Sequence, residues 1–474
     1  MAALAVPALL PLVGSCRPTR SRAIAPDASS GTQGVALSDG VREALRFAVA
    51  ALESSHGRAR GWASLGRTVT AQADDEGREL IDSPHGTVAL AVLTQSGWIE
   101  VRTGDVTAGG IQRSAARLAQ EATPAGGRDR LPNVSGQSVS GPSVSGPSVS
   151  GFAGAGPAPA VDPRASDTSE LRERLTALFD AARKHGGSRV VYRRAGFSID
   201  DRDVFFVGDS RDLAQRLLRT RATAGFVAWD GARTSVESCE RAGAIGLEAT
   251  AIDDEELARA AAGALSRLTS PVVPTGSHRV LFDSSVAYLW ARHGLAPSRS
   301  LPPDAGSAQG LILRNDPTTA GSYGGYRFGD DGSPAQPTVL VGEGAVRDPA
   351  HRHARGHLVL VPGPHGADSL LAALGNGFLI EAGIAGAGDS RYDSVAIRAR
   401  RAREVRSGRT TGRSYGPVVV QGIVADMVND TLAVGRDHAH HGWQLDEDVP
   451  PRGAFGSAEV PALVTRAKLA GTES

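Results

Sequence analysis

Two histidine groups are where this sequence could do chemistry. HRHARGH holds His351, His353 and His357, and DHAHH runs from Asp437 through His438, His440 and His441. In a strand, His438 and His440 point to the same side, and two imidazoles on one face can hold zinc or another divalent ion with Asp437 or Asp446 as a third donor. Both groups stand in polar, loop-like sequence, so a solvated histidine loop is the expectation, with His440 the first candidate ligand if the group does chemistry. No general base is placed beside the pair, so a hydrolytic site is not complete there. A third place is Val280 to His293, VLFDSSVAYLWARH. Val280, Leu281 and Phe282 read as a buried strand entering a short helix capped by Asp283 or Ser284, with Val286, Leu289, Trp290 and His293 on one face. A helical zinc motif needs two histidines about four residues apart with a glutamate between them to activate water. Here only His293 stands, and a packed, hydrogen-bonded core histidine is expected. G-x-S-x-G nucleophile motifs and phosphate loops are absent: Gly321 to Gly325 is followed by neither a lysine nor a helix.

The elements that must position these residues follow from composition and periodicity. With 474 residues the chain should form two or three domains. Lys plus Arg and Asp plus Glu are 51 each, which speaks against a nucleic-acid or anionic-membrane partner. Two cysteines, Cys16 and Cys239, argue for a reducing, cytoplasmic setting and against a disulfide framework or a cysteine-built zinc site. The opening MAALAVPALLPLVGSC is apolar, but no Lys or Arg precedes it and two prolines break it, so residues 1–35 are expected to be a disordered extension. No later segment has the eighteen or so apolar residues of a membrane span.

Residues 36–121 read as a small α+β unit. A helix runs from Ser38 to Glu53, a hairpin joins Thr87–Thr94 to Trp98–Arg102 through Gln95-Ser96-Gly97, and a second helix spans Ile111 to Glu121. From 122 to 165 the chain is Gly, Pro, Ser and Ala, including a pentapeptide repeat between Val134 and Gly151, and is expected to be a linker. Residues 166–274 read as a central α/β region. Its helices are one capped by Asp167 and Glu170, one around Asp212 to Arg219, and one opened by Asp253 to Glu256; its strands are Arg189–Tyr192, Asp203–Val207 and Thr223–Trp229. Residues 275–474 alternate short strands with glycine turns: Gly310–Leu313, Thr338–Val341, His357–Val361, Gly377–Ile380, Ser394–Arg400 and Gly416–Ile423. The few helices lie at Asp368–Leu374 and Ala425–Leu432. This reads as a largely antiparallel, sandwich- or barrel-like body. The fold class is α+β.

Five phrases carry a resemblance across most of the chain: NDPTTAGSYGGYRFGDDGSPA (Asn315 to Ala335), Leu358 to Gly363 with Ser369 to Leu374, GNGFLIE (Gly375 to Glu381), GPVVVQGIVADMVNDTLAVGRD (Gly416 to Asp437) and AEVPALVTRAKLAG (Ala458 to Gly471). In this order they resemble the TldD/PmbA family, also described as modulator-of-gyrase proteins. In its TldD branch the helix equivalent to Ser284–His293 carries a zinc motif, with a further ligand from the C-terminal region. The PmbA (TldE) branch keeps the strand and helix with only a terminal histidine before glycine, which His293-Gly294 is similar to. The resemblance therefore implies a PmbA-like subunit with no cofactor and no catalytic residue of its own. It would pair with a TldD-type, zinc-bearing subunit in a peptidase acting on peptides or peptide-like small molecules, including those of natural-product pathways. Asp330, Asp331 and Glu381 are the implied substrate or chamber contacts. Two departures bear on those loops: Pro297 to Gly310 is short, and Asp330-Asp331-Gly332 lacks the family's glutamate. The alternatives are a self-sufficient metal-dependent tailoring hydrolase or lyase, using the His438 to His441 group, and a non-enzymatic binding or inhibitor protein.

Overall fold

The computed structural model describes residues 30–122, 159–298, 301, 305–306, 310–342, 356–389, 392–444 and 455–471. The Val134 to Gly151 repeat, His351, His353 and Asp446 lie outside the described residues.

The first half is one six-stranded antiparallel sheet with helices on one face. In chain order it comprises α1 (Ser30–His56), β1 (Ala59–Asp74), β2 (Arg78–Thr94), β3 (Gly97–Thr103), α2 (Ala108–Glu121), α3 (Thr168–Arg183), β4 (Val190–Gly208), β5 (Arg211–Trp229), β6 (Thr234–Gly243) and α4 (Asp254–Arg267). The strand order is β3-β2-β1-β4-β5-β6. Residues 36–121 and 166–274, expected as separate units, thus share a sheet, because β1 pairs with β4 from Arg60↔Gly208 to Asp74↔Arg194. The helix begins at Ser30, before the expected cap at Ser38, and takes in the end of the stretch expected to be disordered. The last residues of the expected linker are also structured: Pro163 is buried, and its carbonyl accepts from Arg67.

The segment Asp212 to Arg219, expected to be helical, is strand. It carries good helix formers, but Asp209 and Ser210 hold φ of 48° and 60°, the left-handed pair of a tight hairpin turn. That turn sets β5 antiparallel to β4 over its whole length, and tertiary pairing overrides local preference. Asp167 caps α3 as read, accepting from the Glu170 amide at 2.9 Å, but the Glu170 carboxylate turns to Arg174 and not back to the cap. The acidic turn that opens α4 also supplies its cap, Asp253 accepting from the Glu256 amide at 2.7 Å. Leu171, Leu175, Leu178, Phe179 and Ala182 of α3 are all buried against the sheet.

The second half contains β7 (Gly276–Phe282), α5 (Ser284–Trp290), β8 (Leu313–Asn315), β9 (Thr338–Val341), β10 (Gly356–Leu360), α6 (Ala367–Leu374), β11 (Gly377–Asp389), β12 (Ser394–Arg406), β13 (Arg409–Tyr415), β14 (Val418–Ile423), α7 (Val424–Asn429), β15 (Ala433–Gln444) and β16 (Phe455–Gly471). Its ladders are mostly antiparallel, with β7–β11 and β10–β16 parallel. β7 pairs with β11 and β16, β11 with β12, β12 with β14, and β14 with β16, so these strands close on themselves as a barrel does. Helix α5 packs into this closure: Val286, Ala287, Leu289 and Trp290 join Phe282, Ile380, Ile397, Val420 and Leu463 in one apolar core.

The two halves are joined through the bare face of the six-stranded sheet. There Trp62, Val204 and Phe206 meet Phe328, while the Gln215 amide bonds the Phe328 carbonyl and the Arg327 N–H. Among the described residues no helix is long and apolar enough to cross a membrane.

Candidate functional site

The strand and helix that the sequence marked at Val280 to His293 are β7 and α5, continued by a π-helical turn over Ala291–Leu295. Asp283, not Ser284, is the cap. One of its oxygens accepts from the Val286 amide at 2.9 Å and the Ser285 hydroxyl at 2.6 Å, and the other accepts from the Ala382 amide at 2.9 Å. Burial pushes the Asp283 carboxyl above its ordinary value despite those donors. Trp290 fills the core with its ring 6.4 Å from Phe282. The helix is thus spent on packing and capping along its length.

His293 sits on the π turn, a distortion that recurs at functional sites. It is half-buried rather than enclosed in the core, and two glycines of β11 make room for it. A Cβ at Gly386 would come within 2.6 Å of its ring, and one at Gly388 within 2.1 Å of its carbonyl oxygen. Burial, and then the charge of Arg292, push its imidazole down to about 4, so it is neutral at neutral pH. With Arg292, Asp389, Asp393 and Ser394 it lines a cavity of ≈ 240 Å³, in which a neutral imidazole can donate or accept a proton beside two carboxyls.

The other implied contacts lie elsewhere. Asp330 and Asp331 line a separate cavity with Arg60, Trp62 and Phe206, at the junction of the two halves. Glu381 is clasped by Arg401 Nε at 3.0 Å and by Arg403 through two bonds of 2.7 and 2.6 Å.

The histidines of these groups that fall among the described residues lie on strands. His438, His440 and His441 lie on β15, and His357 lies on β10 with its side chain fully buried. β16 runs between these strands, pairing His440 with Glu459, His438 with Pro461 and His357 with Ser457. Residues two apart on a strand share a face, so His438, His440, Glu459, Ser457 and His357 all rise on one side of the sheet. His438 Nε2 bonds Glu459 Oε1, and His440 Nε2 lies 3.9 Å from the same oxygen. One ligand atom from each of His438, His440 and Glu459 falls within 4.8 Å of the others, the one such triad among the described residues.

His441 points to the opposite face, where it stacks on Tyr288 of α5 at 5.1 Å and 11°, and is therefore not part of the group. Among the described residues the carboxylate beside the pair is Glu459 and not Asp437. Nothing local signals it, since it lies on another strand; the alternation of His438 and His440 was the available half of the pattern.

A six-stranded sheet with helices on one face, docked to a closed strand body holding a short motif helix, defines the class: the α+β fold of TldD/PmbA proteins. No protein-family model matches the chain, and no curated protein matches it at a significant level. Among solved structures it is similar to a candidate modulator of DNA gyrase from Bacteroides thetaiotaomicron, at 13% identity and a TM-score of 0.67, covering 91% of this chain and 99% of that one. A second candidate modulator of DNA gyrase, from Thermotoga maritima, is 15% identical with a TM-score of 0.66 over 90% of this chain and all of the other. TldE from Thermococcus kodakarensis is 14% identical, with a TM-score of 0.64 and 90% and 100% coverage. At these identities the likeness shows a shared fold over nearly the whole chain.

Proposed function

We propose that this chain is a PmbA/TldE-type subunit of a heteromeric zinc peptidase acting on peptides or peptide-like small molecules, partnered by a TldD-type chain that carries the zinc helix. The reading rests on the resemblance of Val280 to Gly294 to the family's motif strand and helix, and one observation supports it: α5 spends Asp283 on capping and Trp290 on packing, and the turn that continues it holds the single His293. Zinc bound by the partner would supply the activated water. This chain would shape the chamber around the cavity beside His293, whose neutral imidazole can accept or donate a hydrogen bond to a substrate amide.

The test is co-expression with a TldD-type chain from the same source. A stable complex that cleaves peptides, holding one more zinc ion than this chain purified alone, is the expected result. If no complex forms, or the partner cleaves equally well without this chain, the subunit reading fails. A second reading, a metal-dependent hydrolase or lyase acting alone, is favoured by the His438, His440 and Glu459 triad. It is distinguished by turnover from the lone chain that a chelator abolishes.

A further inference from the structure

We infer that the β15–β16 strand pair carries a binding site of this chain's own for one divalent first-row transition-metal ion, with His438, His440 and Glu459 as its protein ligands. The site is independent of the motif helix and of any partner.

The register builds the site. Because His440 stands opposite Glu459, and His438 one strand repeat further along the same face, both imidazoles reach one carboxylate oxygen. The two rings lie 5.9 Å apart, centre to centre, and nearly perpendicular at 84°, so they approach that oxygen from different directions. Three lone-pair donors converging on one point repel one another unless a proton or a cation sits among them.

A buried imidazole also stands behind the carboxylate. Glu459 Oε2 lies 3.5 Å from Nε2 of His357, a fully buried ring whose Nε2 has no hydrogen bond of good geometry. The Gly324 amide donates to Ser457 Oγ at 2.8 Å, and Ser457 Oγ lies 2.8 Å from His357 Nδ1. With the Gly324 amide donating to Ser457 Oγ, the serine hydroxyl can in turn donate a hydrogen bond to Nδ1, the tautomer that puts the ring proton on Nε2, on the side of Glu459. Metal-binding carboxylates are held in place by outer partners of this kind.

The donor set selects the ion. Two imidazoles and a carboxylate suit zinc and its first-row neighbours, whereas calcium and magnesium prefer all-oxygen shells. Ligand bonds of about 2.0–2.1 Å place donors about 3.3 Å apart in a tetrahedral site. Closing the 3.9 Å between His440 and Glu459 to that spacing needs a small rotation, and His440, with a side chain 62% exposed, has room to make it. His440 and His438 (37% exposed) also leave the remaining coordination positions open to solvent.

The experiment uses the full-length chain without a histidine tag, stripped with a chelator and titrated with Co²⁺ by visible absorption and with Zn²⁺ by competition. One equivalent should bind, with Zn²⁺ preferred over Mg²⁺ by at least a hundredfold. H440A and E459Q should each weaken binding by tenfold or more, while H441A, altered on the other face, should bind as the unaltered chain does. His440 is exposed, so H440A keeps the fold; circular dichroism checks E459Q. If the chain is handled only in complex with a partner, the complex should lose one metal equivalent on H440A. Absence of binding, equal binding of Mg²⁺, or undiminished binding by H440A and E459Q overturns the assignment. None of these outcomes depends on peptidase activity, so this site and the subunit reading fail separately.

Discussion

Replacing Glu237 with glutamine should loosen the junction between the two halves of the molecule. Glu237 on β6 is 8% exposed and lies between Arg267 at the end of α4, 6% exposed, and Arg400 on β12, 8% exposed. Each guanidinium donates to a different carboxylate oxygen. Burial alone would raise the Glu237 carboxyl, but the charges of Arg400 and Arg267 overcome it and hold it below its ordinary value. Removing one member of a buried ion-pair network costs about 3–5 kcal/mol, because the remaining charges stay buried without compensation. Arg267 keeps Ser235 Oγ at 3.1 Å and Arg400 keeps Ser238 Oγ at 2.9 Å, which places Glu237→Gln near the lower end, about 3 kcal/mol. For domains of this size that is a fall in melting temperature of about 6–12 °C at pH 7. The sign with pH follows from linkage: a carboxyl whose folded pKa is depressed contributes stability above its unfolded value of 4.5, and loses it as the pH falls through the folded value. The unaltered chain and Glu237→Gln should therefore converge in thermal unfolding below pH 4.5. A triple replacement of Glu237, Arg267 and Arg400 by apolar residues of similar volume should recover most of the loss. A Glu237→Gln melting temperature within 2 °C of the unaltered protein at pH 7, or a gap that does not narrow in acid, would refute the reasoning.

Two further outcomes are expected. Burial pushes the Cys239 thiol up to about 12, so iodoacetamide at pH 8 should leave Cys239 unmodified in the folded chain and alkylate it fully in denaturant, as peptide mapping reads. Burial likewise pushes His441 down to about 4, against an ordinary value of 6.5. A histidine whose folded pKa is depressed binds its proton more readily unfolded, so its stabilising contribution is complete above 6.5 and falls away as the pH drops toward 4. Denaturant midpoints measured across that range should decline less steeply for His441→Gln than for the unaltered chain, and equal slopes would show that the ring is solvated.

What the sequence determined by itself is what short-range chemistry decides. The caps at Asp167, Asp253 and Asp283 each need only a carboxylate three residues before an amide. The apolar stripe of α3 needs only helical spacing, and the hairpin around Gln95-Ser96 needs only a turn between two β-prone runs. The α+β class and the resemblance to TldD/PmbA proteins rest on such local signals repeated in order. What only the tertiary structure decided is non-local pairing. β1 joined the first unit to the central region, and pairing with β4 drew Asp212 to Arg219 into a strand against its helical composition. The histidines of DHAHH looked like a solvated loop because their carboxylate lies on a different strand, and Glu459 meets His440 only through the β15–β16 register. A one-residue slip in that register would turn Glu459 to the other face, toward Tyr288 and His441, so the meeting of these three donors belongs to the packed sheet and not to either segment alone.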